Sequence, residues 1–288
     1  MTLREFINEC VTRLAPLYPA PEAKSIAFRL LEHFTDIPSY KYISEPDLVI
    51  PGLTGNLESP MLSALAELET GRPLQYVLGV TEFCGHRFKV GEGCLIPRPE
   101  TEELVSRIID DLYAGDESED ADEEGPFSIL DICTGSGCVA WSLAAEFPEA
   151  MVYGCDLSEA ALRFACRQRV KVRGAKPVFF AADVLAAPPA GLPKFDVIVS
   201  NPPYICDSER AAMRPNVLDF EPHEALFVPD DDPLLFYRGV ARWSDALLRP
   251  DGHLYLEINE QFGPAVSALF PGSRVLQDLN GKDRFVIR

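Results

Sequence analysis

Positive charge is scarce in this chain. Lys and Arg number 26 against 45 Asp and Glu, a formal net charge of −19 over 288 residues. Broad neutralisation of a phosphate backbone is therefore excluded as its way of holding a partner, and no directly bound nucleic acid is expected. Seven of the acids crowd into residues 116–124, and without them the balance is still −12. That run reads as a solvated loop. Close-paired metal ligands are missing too. The eight cysteines (10, 84, 94, 133, 138, 155, 166 and 206) contain no Cys-x-x-Cys, and the four histidines (33, 86, 223 and 253) have no paired spacing. No metal site is expected, and scattered thiols suit a reducing compartment. No apolar run approaches the roughly 18 residues of a membrane span. The start, Met1-Thr2-Leu3-Arg4-Glu5-Phe6, has neither a basic n-region nor an apolar h-region. A cytoplasmic protein without membrane contact is expected, with monomer as the default state.

What is present can build a large core: 47% of residues are hydrophobic and 25% charged. Residues 1–75 carry one-sided helical stripes: Leu3, Phe6, Ile7, Cys10 and Leu14; then Ala23, Ile26, Ala27, Leu30 and Phe34; then Met61, Leu62, Leu65 and Leu68. Pro46, Pro51, Gly52 and Gly55 interrupt them. A small helical bundle is expected there. Residues 76–97 read as a β-hairpin linker, with Tyr76 to Phe83 and Arg87 to Val90 extended around Cys84-Gly85-His86. From 98 to 288 strands alternate with helices, which implies a mostly parallel sheet covered on both faces. One of those helices is expected over Ser158 to Val172. Pro250-Asp251-Gly252 is expected to turn into a strand over His253 to Ile258. Asn280-Gly281 predicts a closing hairpin that adds an antiparallel edge strand.

The chemistry sits at strand ends. Ile129-Leu130-Asp131 runs into Ile132-Cys133-Thr134-Gly135-Ser136-Gly137 and then a helix. The glycines permit a tight turn and close approach to a ligand, but G-x-G-x-x-G is absent, so a dinucleotide fingerprint is not met. An acid at the loop entrance suits a cation, such as the amino group and sulfonium of S-adenosylmethionine. The next strand ends in Asp156, about 20 residues past the glycines, where an acid can bind both hydroxyls of a ribose. The third leads to Asp183 and Val184, placed for an adenine amino group and ring. The fourth, Phe195 to Val199, runs into Ser200-Asn201-Pro202-Pro203-Tyr204. Alone, that step is a turn after a strand. Beside a nucleoside site it becomes a grip for a planar NH2 group: Asn201 can accept, Pro202 keeps its carbonyl, Pro203 fixes the turn, and Tyr204 offers a flat face.

These residues resemble class I S-adenosylmethionine-dependent methyltransferases with Asn-Pro-Pro-Tyr, and more narrowly the release-factor glutamine N5-methyltransferases. Gly71 to Gly79, Leu95-Ile96-Pro97-Arg98-Pro99-Glu100-Thr101-Glu102-Glu103-Leu104-Val105, Glu221 to Leu226 and Gly281 to Arg284 carry the narrower likeness. The resemblance implies an α/β class I methyltransferase fold: a Rossmann-like, mostly parallel sheet with an antiparallel C-terminal hairpin, plus the N-terminal bundle. It implies methyl transfer from S-adenosylmethionine, with S-adenosylhomocysteine as product, to the glutamine of a Gly-Gly-Gln loop on class 1 peptide-chain release factors. Asp131, Cys133, Thr134, Gly135, Ser136, Gly137, Asp156, Asp183, Val184 and Asn201 would hold the cofactor. Asn201, Pro202 and Tyr204 would be catalytic, and Asn201 to Tyr204 with Arg98 and Glu100 would meet the substrate. Arg98 either orients the substrate loop or cofactor carboxylate, or closes an ion pair at the helix start. Glu221 either lies over the pocket or is a plain loop acid.

The same grip serves adenine-N6 DNA methyltransferases, the alternative; the acidic balance and the Arg98 region speak against it. The sequence departs from the family at Cys133 and Asn259, where glycine is usual, and at Gln168, where asparagine is usual. None of these departures is expected to touch Asn201 to Tyr204.

Overall fold

The computed structural model describes residues 1–53, 59–115 and 126–288. The acidic run of 116–124 and Gly55 lie outside the described residues. Two compact bodies form: residues 1–79 with 214–220, and residues 80–213 with 221–288.

In the first body, α1 (Leu3–Leu14) and α2 (Ala20–Phe34) bury the predicted stripes. Thr2 starts α1 with a capping box, its hydroxyl accepting from the Glu5 N–H while the Glu5 carboxylate accepts from the Thr2 N–H. A short α3 (Lys41–Ser44) and α4 (Pro60–Leu68) complete the core, and Arg13 ties α1 to Glu69 after α4. Residues 76–83, expected to be extended, are not so throughout. Leu74–Leu78 form α5, which Gly79 ends in the left-handed conformation at φ 68°.

The second body opens with the hairpin β1 (Val80–Phe83) and β2 (His86–Lys89). Cys84 and Gly85, both at positive φ, make a two-residue turn. Then follow α6 (Pro99–Gly115), β3 (Ser128–Ile132), α7 (Cys138–Glu146), β4 (Met151–Asp156), α8 (Glu159–Ala165), β5 (Val178–Ala181) and β6 (Phe195–Ser200). The chain continues through β7 (Ile205–Cys206), α9 (Pro215–Leu218), which belongs with the first body, β8 (Phe227–Val228), α10 (Leu235–Leu247), β9 (Leu248–Glu257), α11 (Gly263–Ser267), β10 (Arg274–Gln277) and β11 (Asp283–Ile287).

Seven strands form one sheet in the order β10-β11-β9-β6-β3-β4-β5. β5, β4, β3, β6 and β9 are parallel; β11 is antiparallel to both its neighbours. The antiparallel strand thus sits one place in from the edge that the sequence assigned it, because β10 covers it. Side chains alternate between faces. Ile129, Val197, Val199 and Tyr255 pack under α6 and α7, whereas Leu130, Ile132, Ile198, Leu254 and Leu256 meet α10 and α11. Burying Trp243 or Tyr237 of α10 contributes about 2–3 kcal/mol each.

Two expected boundaries moved. The helix from 158 stops at Ala165, not Val172. Beyond it Gln168 and Val170 are buried while Arg169 and Lys171 are exposed, a period of two, and the Gln168 side chain is bonded to β2 instead. β9 runs unbroken from Leu248, its register slipping where Gly252 passes the Asp196 carbonyl.

Candidate active site

The strand order reverses around β3: β4 lies on one side and β6 on the other. Such a switch point opens a crevice at the carboxyl ends of the strands. A cavity of about 460 Å³ lies there, within the range of small-molecule sites.

Its first wall is the loop after β3. Cys133 (φ 61°), Gly135 (φ 55°) and Gly137 (φ 77°) all take the left-handed conformation. Gly137 is also tightly enclosed, since a Cβ would lie 3.0 Å from both Ala165 and Phe179 and these side chains would have to give way. Cys133 adopts the glycine-favouring backbone despite its Cβ, which costs about 1–2 kcal/mol. It lines the cavity, and burial pushes its thiol well above the usual range. The Thr134 N–H donates to the Cys155 carbonyl at 2.9 Å, and Gly135 N–H to Asp156 Oδ2 at 2.8 Å.

Asp131 stands behind this loop and is not on the cavity wall. Its Oδ2 accepts from Thr134 Oγ1 at 2.6 Å and from the Ala140 N–H at 3.2 Å. It fastens the loop to α7, and burial raises its carboxyl to about 7. Thr134, Ser136 and Gly137 likewise shape the loop without lining the cavity. The Ser136 carbonyl accepts from Gln168 Nε2 at 3.1 Å, and the same side chain bonds both backbone groups of Lys89. Gln168 thus braces the glycine loop against the hairpin.

Asp156, Asp183, Val184, Cys133, Gly135, Asn201 and Pro203 do meet on the wall. Asp156 Oδ1 accepts from the Ser158 N–H, and Asp183 Oδ1 from the Leu185 N–H, so each acid is held in one rotamer. Leu157 and Phe236 add apolar surface. Glu224 brings a third carboxylate, and no Lys, Arg or His lines the cavity among the described residues. Burial, with Glu224 adding its charge, pushes Asp156 upward. A pyrophosphate would be repelled here; a nucleoside with free hydroxyls and positive charge is matched by the donor and acceptor types present.

The far wall is the turn after β6. Asn201 and Pro203 line the cavity, whereas the buried Pro202 and the ring of Tyr204 are not on its wall. Asn201 Nδ2 donates to Thr101 Oγ1 at 3.1 Å. Thr101 Oγ1 donates to Glu257 Oε2 at 2.6 Å, and Tyr204 Oη donates to Glu257 Oε1 at 2.8 Å. Burial, then the Glu257 charge, push the Tyr204 phenol well above its usual range. Asn259 Nδ2 donates to the Tyr204 carbonyl at 3.1 Å and to Glu209 at 2.9 Å. This corrects the expectation that the departures avoid Asn201 to Tyr204: at 259, an asparagine side chain reaches the turn that a glycine could not.

Arg98 and Glu100 are absent from the cavity wall. Arg98 Nη2 meets Glu221 Oε1 at 2.6 Å, and Glu221 Oε2 accepts from the Ile96 N–H at 3.1 Å. Glu221 is therefore neither a lid nor a plain loop acid but a buried latch on residues 96–98. Thr101, Glu257, Gln168 and Asn259 were not singled out as site residues. Glu257 was findable: like Asp131 and Asp156, it is an acid ending an apolar strand.

The Methyltransferase small domain family matches residues 120–217. The chain is 38% identical over 278 residues to a release factor glutamine methyltransferase of Bacteroides thetaiotaomicron, covering 95% of each. It is 36% identical to proteins of the same name from Flavobacterium psychrophilum, over 291 residues, and Cereibacter sphaeroides, over 293, covering 99% of this chain and 98% of the relative each time. With that coverage added to the switch-point cavity and the Asn-Pro-Pro-Tyr turn, the chain belongs to the release factor glutamine methyltransferase family of enzymes.

Proposed function

We propose that this protein transfers a methyl group from S-adenosylmethionine to the side-chain amide nitrogen, N5, of the glutamine in the Gly-Gly-Gln motif of class 1 peptide-chain release factors. S-adenosylhomocysteine is the other product. The observation that carries this reading is an asparagine amide, fixed by its neighbours, at the edge of a cavity lined by carboxylates. The relatives' shared name supports a release-factor glutamine as acceptor, and disfavours the adenine-N6 DNA alternative.

When bound, the cofactor supplies an electrophilic methyl on a sulfonium. In this reading Asp156 takes the ribose hydroxyls, and Asp183 and Val184 take the adenine. Cys133 and Gly135, which line the cavity, would meet the cofactor, while Asp131, Thr134, Ser136 and Gly137 keep their loop in shape. The acceptor nitrogen is a weak nucleophile, its lone pair delocalised into the carbonyl. Asn201 Oδ1 and the Pro202 carbonyl accept its two hydrogens, align it, and favour the positive charge that develops on it. Tyr204 packs on the amide plane, with Pro203 holding the turn. The proton leaves to water after transfer, so no side-chain base is required. Arg98 and Glu100 act at the substrate side through the backbone and charges they set, the former through its latch to Glu221.

The helical first body, residues 1–79 with 214–220, would recognise the release factor, and the second body, residues 80–213 with 221–288, would carry the catalysis. Among the described residues no helix is long and apolar enough to cross a membrane. The proposal sets the protein at work in the cytoplasm, as a monomer, where translation terminates. Labelled S-adenosylmethionine, offered with release factor, with a Gln→Ala release factor or with DNA, tests it. Label is expected on the first alone; label on DNA or on the altered factor overturns it.

A further inference from the structure

We propose that Thr101 and Glu257 are positioning residues that decide which way round the Asn201 amide stands. This rests on the reading that Asn201 Oδ1 accepts from the substrate NH2. An asparagine amide has two ends of nearly equal size and opposite polarity. Turned one way it offers the acceptor an oxygen; turned the other, it sets NH2 against NH2 and grips nothing.

Direction in the hydrogen-bond ring resolves that choice. A carboxylate only accepts, so Glu257 takes the protons of both Thr101, at 2.6 Å, and Tyr204, at 2.8 Å. The single hydroxyl proton of Thr101 is then committed, and its oxygen can only accept from Asn201, 3.1 Å away. Nδ2 must face Thr101, and Oδ1 must face away from it. The three partners come from separate elements: Asn201 after β6, Thr101 in the first turn of α6, and Glu257 at the end of β9. Thr101 and Glu257 are 4% and 1% exposed, so water does not compete for these bonds. Glu257 is also costly to bury: burial raises its carboxyl, and the bonds from Thr101 and Tyr204 pull it back. Arg284, bonded to Asp278 and the Ile258 carbonyl, adds a weaker charge pull in the same direction. A glutamine would fill the same space without that cost. What the carboxylate alone provides is acceptors on both sides, and hence one polarity around the ring.

The test compares Thr101→Val, Thr101→Ser and Glu257→Gln, with Asn201→Ala as reference. Glu257→Gln can donate to Thr101, release the threonine proton toward Asn201 Oδ1, and turn the amide over. For Thr101→Val and Glu257→Gln, kcat with release factor should fall about a hundredfold. KM for release factor and Kd for S-adenosylhomocysteine should stay within about threefold, and combining the two should cost little beyond the worse single change. Thr101→Ser should restore kcat to within about threefold, a rescue that a merely structural role of the methyl group would not give. Wild-type kcat in Glu257→Gln, equal loss in the serine and valine variants, or a loss confined to cofactor Kd would overturn the inference. Should Thr101→Val not fold, the isosteric Glu257→Gln carries the decision. If Asn201→Ala itself keeps its rate, the grip has failed; if only that variant is inactive, the ring has.

Discussion

The two walls of the cavity are built by opposite means. The loop after β3 takes its path from backbone, three left-handed residues in five, and is fastened from outside by the Cys155 carbonyl and the side chains of Asp131, Asp156 and Gln168. The turn after β6 contains no left-handed residue and takes its shape from side chains reaching in from Thr101, Glu257 and Asn259. A wall that must let a ligand approach the main chain minimises side chains. A wall that must read hydrogen-bond polarity surrounds itself with them. The loop should therefore be broken by added atoms and the turn by altered donors and acceptors.

The largest effect belongs to the turn. Asn201→Ala should lower kcat by about 10²–10³-fold or more, while S-adenosylhomocysteine binds within about tenfold and the unfolding temperature barely moves. Near-wild-type turnover would end the account of the grip given above.

Next comes the acid behind the loop. An ordinary aspartate titrates near 3.8, whereas burial holds Asp131 near 7. Between those values the folded protein keeps a proton that the unfolded chain has lost. Stability from this group is present at low pH and lost as pH rises through that window. Asp131→Asn, which cannot ionise, should gain on the wild type between about pH 4 and 7, by at most about 4 kcal/mol. Thermal unfolding of cofactor-free protein at about pH 5 and pH 8 checks this; a difference independent of pH would show that the bonds from Thr134 and Ala140 outweigh burial.

Gly137→Ala strikes the loop directly. A left-handed alanine against Ala165 and Phe179 should cost about 2–4 kcal/mol, read by denaturant unfolding. The smallest effect is the reverse change. Cys133→Gly relieves the backbone but loosens the unfolded chain, so stability should shift by less than about 1 kcal/mol. A loss above 2 kcal/mol would mean that the thiol packs better than its backbone suggests.

Much of the sheet was legible because its central strands are short apolar runs with an acid or an amide at or beside the carboxyl end: Asp131, Asp156 and Asn201 stand there. The cavity followed from the same rule. The ring was not legible. Thr101 and Glu257 are 156 positions apart, and Asn201 is 100 from Thr101, so no local pattern couples them. Gln168 shows the same limit in a helix. Its stretch has helical propensity, yet three tertiary hydrogen bonds outweigh it. Arg98 reads in the sequence equally as a substrate-side residue or as half of a helix-start ion pair, and its partner in the structure, Glu221, lies 123 positions away.

One pairing carries a wider consequence. In the parallel ladder Ile132 lies opposite Ser200, and Ser200 Oγ is bonded to the Ile132 carbonyl at 2.7 Å. The next residue on each strand, Cys133 or Asn201, begins one of the two walls. In the proposed reaction, the gap between the methyl-donor wall and the methyl-acceptor wall would thereby be inherited from the spacing of neighbouring strands, about 4.8 Å. The sheet serves as a ruler: either loop can be rewritten for a new guest without losing the reacting distance, whereas a one-residue slip of β6 would displace the acceptor by about 3.3 Å and turn it to the opposite face.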